Sequence, residues 1–219
     1  MTDVALGRRV VAEAVGTAFL SMAVIGSGIA AARLSPHDAG LQLLENSIAT
    51  GAVLVALILA FGSVSSAFNP IVTLVDAGLG KLTWTWAAGL VVAQVAGAIV
   101  GAVLANVMFG LDAVSLAGHA RGGGDLWVAE LVATIGLLLV IVGSRDEAVP
   151  YAVGGYIAAA YWFTSSTSFA NPALTVGRMF SDTFAGIAPH SVPMFVVMQI
   201  AGGVVAFALI RLMWPRLAV

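Results

Sequence analysis

Six long apolar runs divide this 219-residue chain, at residues 10–32, 43–61, 82–109, 126–143, 149–163 and 192–213. Runs of that kind leave the backbone little choice. Hydrocarbon offers no partner for an unpaired N–H or C=O, and a helix satisfies its own. About twenty residues at ~1.5 Å each cover the ~30 Å core of a bilayer. The composition agrees, with 60% hydrophobic and 9% charged residues, where a soluble domain carries roughly a quarter charged. The first run follows Arg8-Arg9, and Ser21-Met22-Ala23 imitates a signal-peptide cleavage site. Its length, and Glu13 near its start, read instead as a spanning helix.

A short stretch occurs twice among these runs: Asn69-Pro70-Ile71-Val72-Thr73-Leu74 and Asn171-Pro172-Ala173-Leu174-Thr175-Val176. Each copy reads as a helix start, since Asn is a favoured N-cap and Pro suits the first helical position. Each also ends early, at Gly78 or Gly80 in the first copy and near Ser181-Asp182 in the second. Roughly ten residues give about 15 Å of helix, half the hydrocarbon thickness. Two half-helices in corresponding parts of a membrane chain point to a solute site near mid-membrane.

Two further pairs share this frame. Ala12-Glu13-Ala14-Val15-Gly16-Thr17 matches Ala129-Glu130-Leu131-Val132-Ala133-Thr134, and Gln94-Val95-Ala96-Gly97 matches Gln199-Ile200-Ala201-Gly202. Chance matches of Ala, Val and Gly are cheap in an apolar chain; ordered matches of Glu, Asn-Pro and Gln are not. The expected architecture is all-α, six transmembrane helices plus two re-entrant half-helices, in one domain over 1–219 with inverted repeats about 1–112 and 125–219. With both termini inside, Arg8, Arg9, Lys81, Arg145, Arg211 and Arg216 lie on the inner face, and Arg33, Arg121 and Arg178 on the outer. That excess follows the positive-inside rule.

Several function classes drop out. A net charge of −2 offers no basic face for nucleic acid, and the absence of cysteine removes thiolate metal sites and Cys nucleophiles. His37, His119 and His190 are far apart in polar connections, either plain solvated histidines or a pH-sensing mouth. Nothing points to an enzyme, a metal or a cofactor. Glu13 and Glu130 are intramembrane carboxylates, costly unless partnered. They serve either as relays of a proton-coupled secondary transporter or as braces for the segments that carry the half-helices.

The order Ala-Glu…Thr, Asn-Pro-Ile, Gln-x-Ala-Gly, repeated with Asn-Pro-Ala, resembles the aquaporin or major intrinsic protein family over essentially the whole chain. The resemblance implies two half-helices entering from opposite faces and meeting midway, with Asn69 and Asn171 each presenting an amide donor to a pore. It implies a passive channel for water and small uncharged solutes, a homotetramer with one pore per subunit, and no partner beyond the lipid bilayer and those solutes. It places the chain in a bacterial plasma membrane with both termini cytoplasmic, and it favours the bracing role for Glu13 and Glu130.

Departures from the family pattern bear on the substrate. The family's filter arginine directly follows the second Asn-Pro-Ala, where this chain has Leu174. The remaining filter positions carry over as Ser168, Thr50 and, from the fifth long helix, Ala159 or Ala160. A ring of Thr50, Ala159, Ser168 and Leu174 is wide and only partly polar. Such a ring favours polyols, and some bacterial members with an aliphatic residue here are associated with neutral arsenicals such as arsenous acid. Arg178, one turn beyond Leu174, lines either the outer vestibule or the lipid headgroups. Ile71, where the family usually has Ala, adds bulk where the half-helices touch.

Overall fold

A computed structural model describes residues 4–215; Arg216, counted above on the inner face, lies outside them. The described residues fold into eight α-helices: α1 (Leu6–Leu34), α2 (Ala39–Phe61), α3 (Pro70–Gly78), α4 (Trp84–Met108), α5 (Gly124–Gly143), α6 (Val149–Phe163), α7 (Pro172–Arg178) and α8 (Val192–Met213). Short 3₁₀ turns precede α6 and α8. Side chains start four of the helices: Asp38 caps α2, Asn69 caps α3, Thr83 caps α4 and Asn171 caps α7. Pro70 and Pro172 occupy the first turns of the two short helices, where a missing N–H costs nothing.

Among the described residues, five helices are long and apolar enough to cross a membrane. The sixth expected span, α6, has 15 residues, about 22 Å at ~1.5 Å each. The passage from Thr164 to Ala170 carries the chain onward as irregular backbone, most of it buried. Non-helical backbone at that depth is tolerated where protein covers it.

Small residues set the crossings. A Cβ on Gly97 would lie 2.2 Å from Ala14 O, and one on Gly101 would lie 2.2 Å from Ala18 O, so α1 and α4 touch backbone to backbone. Gly202 gives α8 the same approach to Leu131 of α5, while Gly51 and Gly154 face each other between α2 and α6. Lipid supplies no hydrophobic drive for helix pairing, so this close packing carries the association. Gly97→Val is therefore expected to part α1 from α4, at the upper end of the ~1–3 kcal/mol cost of overpacking. The check is a sharp fall in monodisperse protein on detergent gel filtration; a normal profile would contradict it.

Ile71 does not spend its bulk at the contact between α3 and α7. It is buried, and its Cγ2 stands where a Cβ of Gly203 on α8 would fall, 2.6 Å away. Gly203 corresponds in the duplicated frame to Ala98, and Ile71 to Ala173. One half thus joins a large residue to a glycine, where the other has two alanines, both fully buried in one core cluster.

Candidate functional site

The two Asn-Pro starts are tied together reciprocally. Asn69 Nδ2 donates to Ala170 O and Asn171 Nδ2 donates to Phe68 O, each at 2.8 Å. Their Oδ1 atoms cap their own helices, accepting from Ile71 N at 2.9 Å and from Ala173 N at 3.0 Å. An amide carries two N–H donors, so each Asn keeps one beyond the cross-tie, and both residues border the central cavity.

The residue before each Asn has left-handed backbone, with φ +48° at Phe68 and +47° at Ala170. A non-glycine residue there carries about 1–3 kcal/mol of strain and persists only where its surroundings hold it. Buried carboxylates do the holding. Glu13 accepts from Ala67 N (2.8 Å), Phe68 N (2.7 Å), Ser65 Oγ and Gln94 Nε2 (2.8 Å). Glu130 accepts from Phe169 N and Ala170 N, both at 2.9 Å, and from Gln199 Nε2 at 2.6 Å. Gln94 and Gln199 pass the network on to Thr73 and Thr175 of the half-helices. Both carboxylates are fully buried and neither borders the cavity.

The cavity encloses about 490 Å³ and runs from Arg9 and Asp76 at one end, past the asparagines, to Arg178 at the other. Its lining combines apolar residues such as Leu54, Leu137, Val153 and Ile157 with residues of the two approaches to the half-helices. Thr50, Ser168 and Leu174 all border it. Ala159 does not. It is exposed on the outer face of α6, and Ala160, though buried, does not reach the cavity either. The helix presents Val149, Val153, Ile157 and Tyr161 inward, a stripe at i, i+4 spacing, and residue 159 lies some 200° round from 157. The family pattern alone does not fix this register, because the passage between α6 and α7 bends through left-handed residues at Thr167, Ser168 and Ala170. Tyr161 of the same helix does border the cavity, with its hydroxyl 3.1 Å from Thr50 Oγ1.

Arg178 faces protein and not lipid, with 3% of its surface exposed. Its guanidinium carbon lies 3.4 Å from the centre of the Phe169 ring, and its Nε donates to Ala185 O. Arg121 approaches the same ring at 5.1 Å and donates to Gly186 O (2.9 Å) and Phe184 O (3.2 Å). Sequence reasoning gave Tyr161 and Phe169 no role and treated Arg121 only as a charge. The stripe on α6 would have found Tyr161; Arg121 meets its partners more than sixty residues away, with no local signal. His119, in the connection between α4 and α5, is depressed below its ordinary value by burial first, then by Arg121 and Arg178, against an opposing pull from Asp182.

The chain resembles known proteins along most of its length. The chain is similar to the aquaglyceroporin AqpS of Rhizobium meliloti (strain 1021), 50% identical over 215 residues, 96% of this chain and 92% of that protein. It is also similar to aquaporin NIP1-4 of Oryza sativa subsp. japonica, 32% identical over 94% of this chain and 77% of that one. The X-ray structure of the aquaglyceroporin from Plasmodium falciparum superimposes with a TM-score of 0.74, covering 97% of this chain and 99% of that chain, at 18% identity. That likeness speaks to the fold alone. The family description "Major intrinsic protein" matches residues 1–150, and with the paired half-helices these findings place the chain in the major intrinsic protein family of membrane channels.

Proposed function

We propose that the cavity is a passive pathway for water and for small uncharged hydroxylated solutes such as polyols. One observation carries this reading: two reciprocally tied asparagines, each with a spare N–H, border a cavity that extends beyond them in both directions. A solute oxygen passing that point accepts from both amides. A cation there meets the same donors, with the positive helix ends behind them, and loses its hydration without compensation. Leu174, where the family pattern places an arginine, leaves the constriction wide and marks the chain as a divergent member. That width suits polyols, in keeping with the name aquaglyceroporin carried by the relative AqpS, and keeps neutral arsenicals such as arsenous acid among the candidate solutes.

The same reading assigns one domain of two inverted halves, about 1–112 and 125–219, with the matched Glu, Gln and Asn bonds supporting the division. It also assigns a homotetramer in a bacterial plasma membrane with both termini cytoplasmic, which rests on the charge distribution and the family resemblance. A proton-coupled transporter is disfavoured because Glu13 and Glu130 spend their oxygens on backbone and glutamine donors away from the cavity.

The test is stopped-flow permeability of proteoliposomes to water, glycerol, urea, arsenous acid and ammonia. Linear, non-saturating flux without proton movement is expected; saturation with coupled acidification would favour the transporter. Leu174→Arg should cut glycerol flux relative to water by about tenfold, the scale of one charged hydrogen bond gained or lost in the constriction. An unchanged ratio would put Leu174 outside the constriction.

A further inference from the structure

The connection from α4 to α5 is stitched to the chain that follows α7. Ser115 N donates to Phe180 O (3.2 Å), Ala117 N to Met179 O (2.9 Å) and Ala188 N to His119 O (2.8 Å). Asn106, buried near the end of α4, donates to Ala113 O and Phe180 O and accepts from Ser181 Oγ. Arg121 closes the far end, with its backbone N–H on Ser191 Oγ and its guanidinium on Gly186 O and Phe184 O. The turn that Arg121 grips, residues 184–186, also supplies the Ala185 O that anchors Arg178 at the end of the cavity. One stitch depends on a titratable carboxylate, since Gly118 N donates to Asp182 Oδ1 at 2.9 Å. His119 comes next in the chain, and its side chain is exposed.

We propose that this stitched connection is an acid-released clasp with His119 as its trigger, and that its release obstructs the cavity at the Arg178 end. The proposal rests on the channel reading above and names how that pathway is regulated. The charged groups acting on His119 are Arg121 of its own connection, Arg178 at the end of α7 and Asp182 of the chain after it. Of the other titratable groups on these segments, Asp112, Asp125 and His190 are exposed, and Arg33 at the end of α1 donates to Phe109 O. A proton on His119 sets a third cation beside two guanidinium groups that stay charged. The one opposing carboxylate, Asp182, is already engaged by Gly118 N. The clasped arrangement therefore prefers neutral His119, whereas a released connection binds the proton at the ordinary histidine value of about 6.5. Clasping is then fully favoured above that pH and is lost progressively as pH falls below it. Once the turn at residues 184–186 lifts, Arg178 loses Ala185 O, and its guanidinium is left loose where the solute must pass.

The test pairs two measurements on the full chain in proteoliposomes, with pH equal on both faces. Glycerol permeability by stopped flow should fall about fivefold between about pH 7.5 and about pH 5, and return on neutralisation. Hydrogen-exchange protection of residues 113–121 and 179–191, corrected for the intrinsic pH dependence of exchange, should fall over the same range. His119→Gln stays neutral and should hold both quantities level. Asp182→Asn keeps an acceptor for Gly118 N but removes the carboxylate that favours His119⁺, so the fall should begin at a lower pH; a merely structural residue would not move that midpoint. Level permeability and protection in the unmutated protein overturn the clasp while the channel stands. A fall that survives in His119→Gln overturns the trigger, and protection that falls while flux stays level overturns the regulation. Unmutated protein that passes no solute at any pH overturns the channel reading, and protection then still decides whether acid releases the connection.

Discussion

Glu130→Ala is expected to lower the thermal midpoint of the detergent-solubilised protein by roughly 10 °C or more. The carboxylate is fully buried and accepts from Phe169 N, Ala170 N and Gln199 Nε2. Alanine leaves three donors without acceptors in a place water does not reach, and each such donor costs about 1–3 kcal/mol. Their sum is on the order of 5 kcal/mol, and for a chain of this size each kcal/mol moves the midpoint by about 2–4 °C. The loss falls where the backbone is already strained at Ala170, so the approach to α7 loosens first and carries Phe68 O with it through Asn171. Glu13→Ala should behave alike, since Glu13 holds the corresponding N–H groups ahead of α3. The readout is static light scattering or tryptophan fluorescence during heating, paired with proton flux. Were the midpoint to stay in place while proton-driven uptake disappeared, Glu130 would be a relay and not a brace.

That pairing of roles explains what could be read from residues alone. Glu13, Asn69 and Gln94 stand out because a polar residue in an apolar run must be partnered, and a duplicated polar residue implies a duplicated partner. The helices were legible for the same reason, since long apolar runs in lipid admit few folds. The cavity lining was legible only in part. Ser168 and Leu174 lie three residues either side of Asn171, and that short separation carries them to the cavity, while Thr50 comes from the family pattern of the second long helix. The α6 position lies beyond seven residues of irregular chain, and its register depends on three left-handed residues that no spacing announces. Arg178 was ambiguous because a basic residue near a helix end suits either lipid headgroups or a protein wall. What decides it is Ala185 O and the Phe169 ring, two contacts made by the return of the chain over α7. Ile71 was assigned to the wrong neighbour because its partner is a glycine, which leaves no side chain to infer from.

Asn69→Ala and Ile71→Ala, two residues apart, are expected to fail in opposite ways. Asn69→Ala removes the cap of α3, the tie to Ala170 O and one of the two central donors. Loss of a cap costs about 1 kcal/mol, so the protein should still fold and insert. Permeation should fall about tenfold or more, because a solute between the two asparagines then keeps only one of its two donors and an unpaired carbonyl faces it. Ile71→Ala leaves every donor where it was. It empties the space against Gly203 and the cluster that includes Leu138, Ala206 and Ile210, at a cost of about 2–5 kcal/mol for a deleted branched side chain. The thermal midpoint should therefore drop while each correctly folded molecule retains most of its permeability. Stopped-flow water permeability, normalised to reconstituted protein, and thermal unfolding of the same preparations together separate the two effects. Small and equal losses of flux in both variants would remove Asn69 from the pathway. If Ile71→Ala instead abolished flux at an unchanged midpoint, the half-helix contact, and not the asparagine pair, would be what the solute meets at the centre of the membrane.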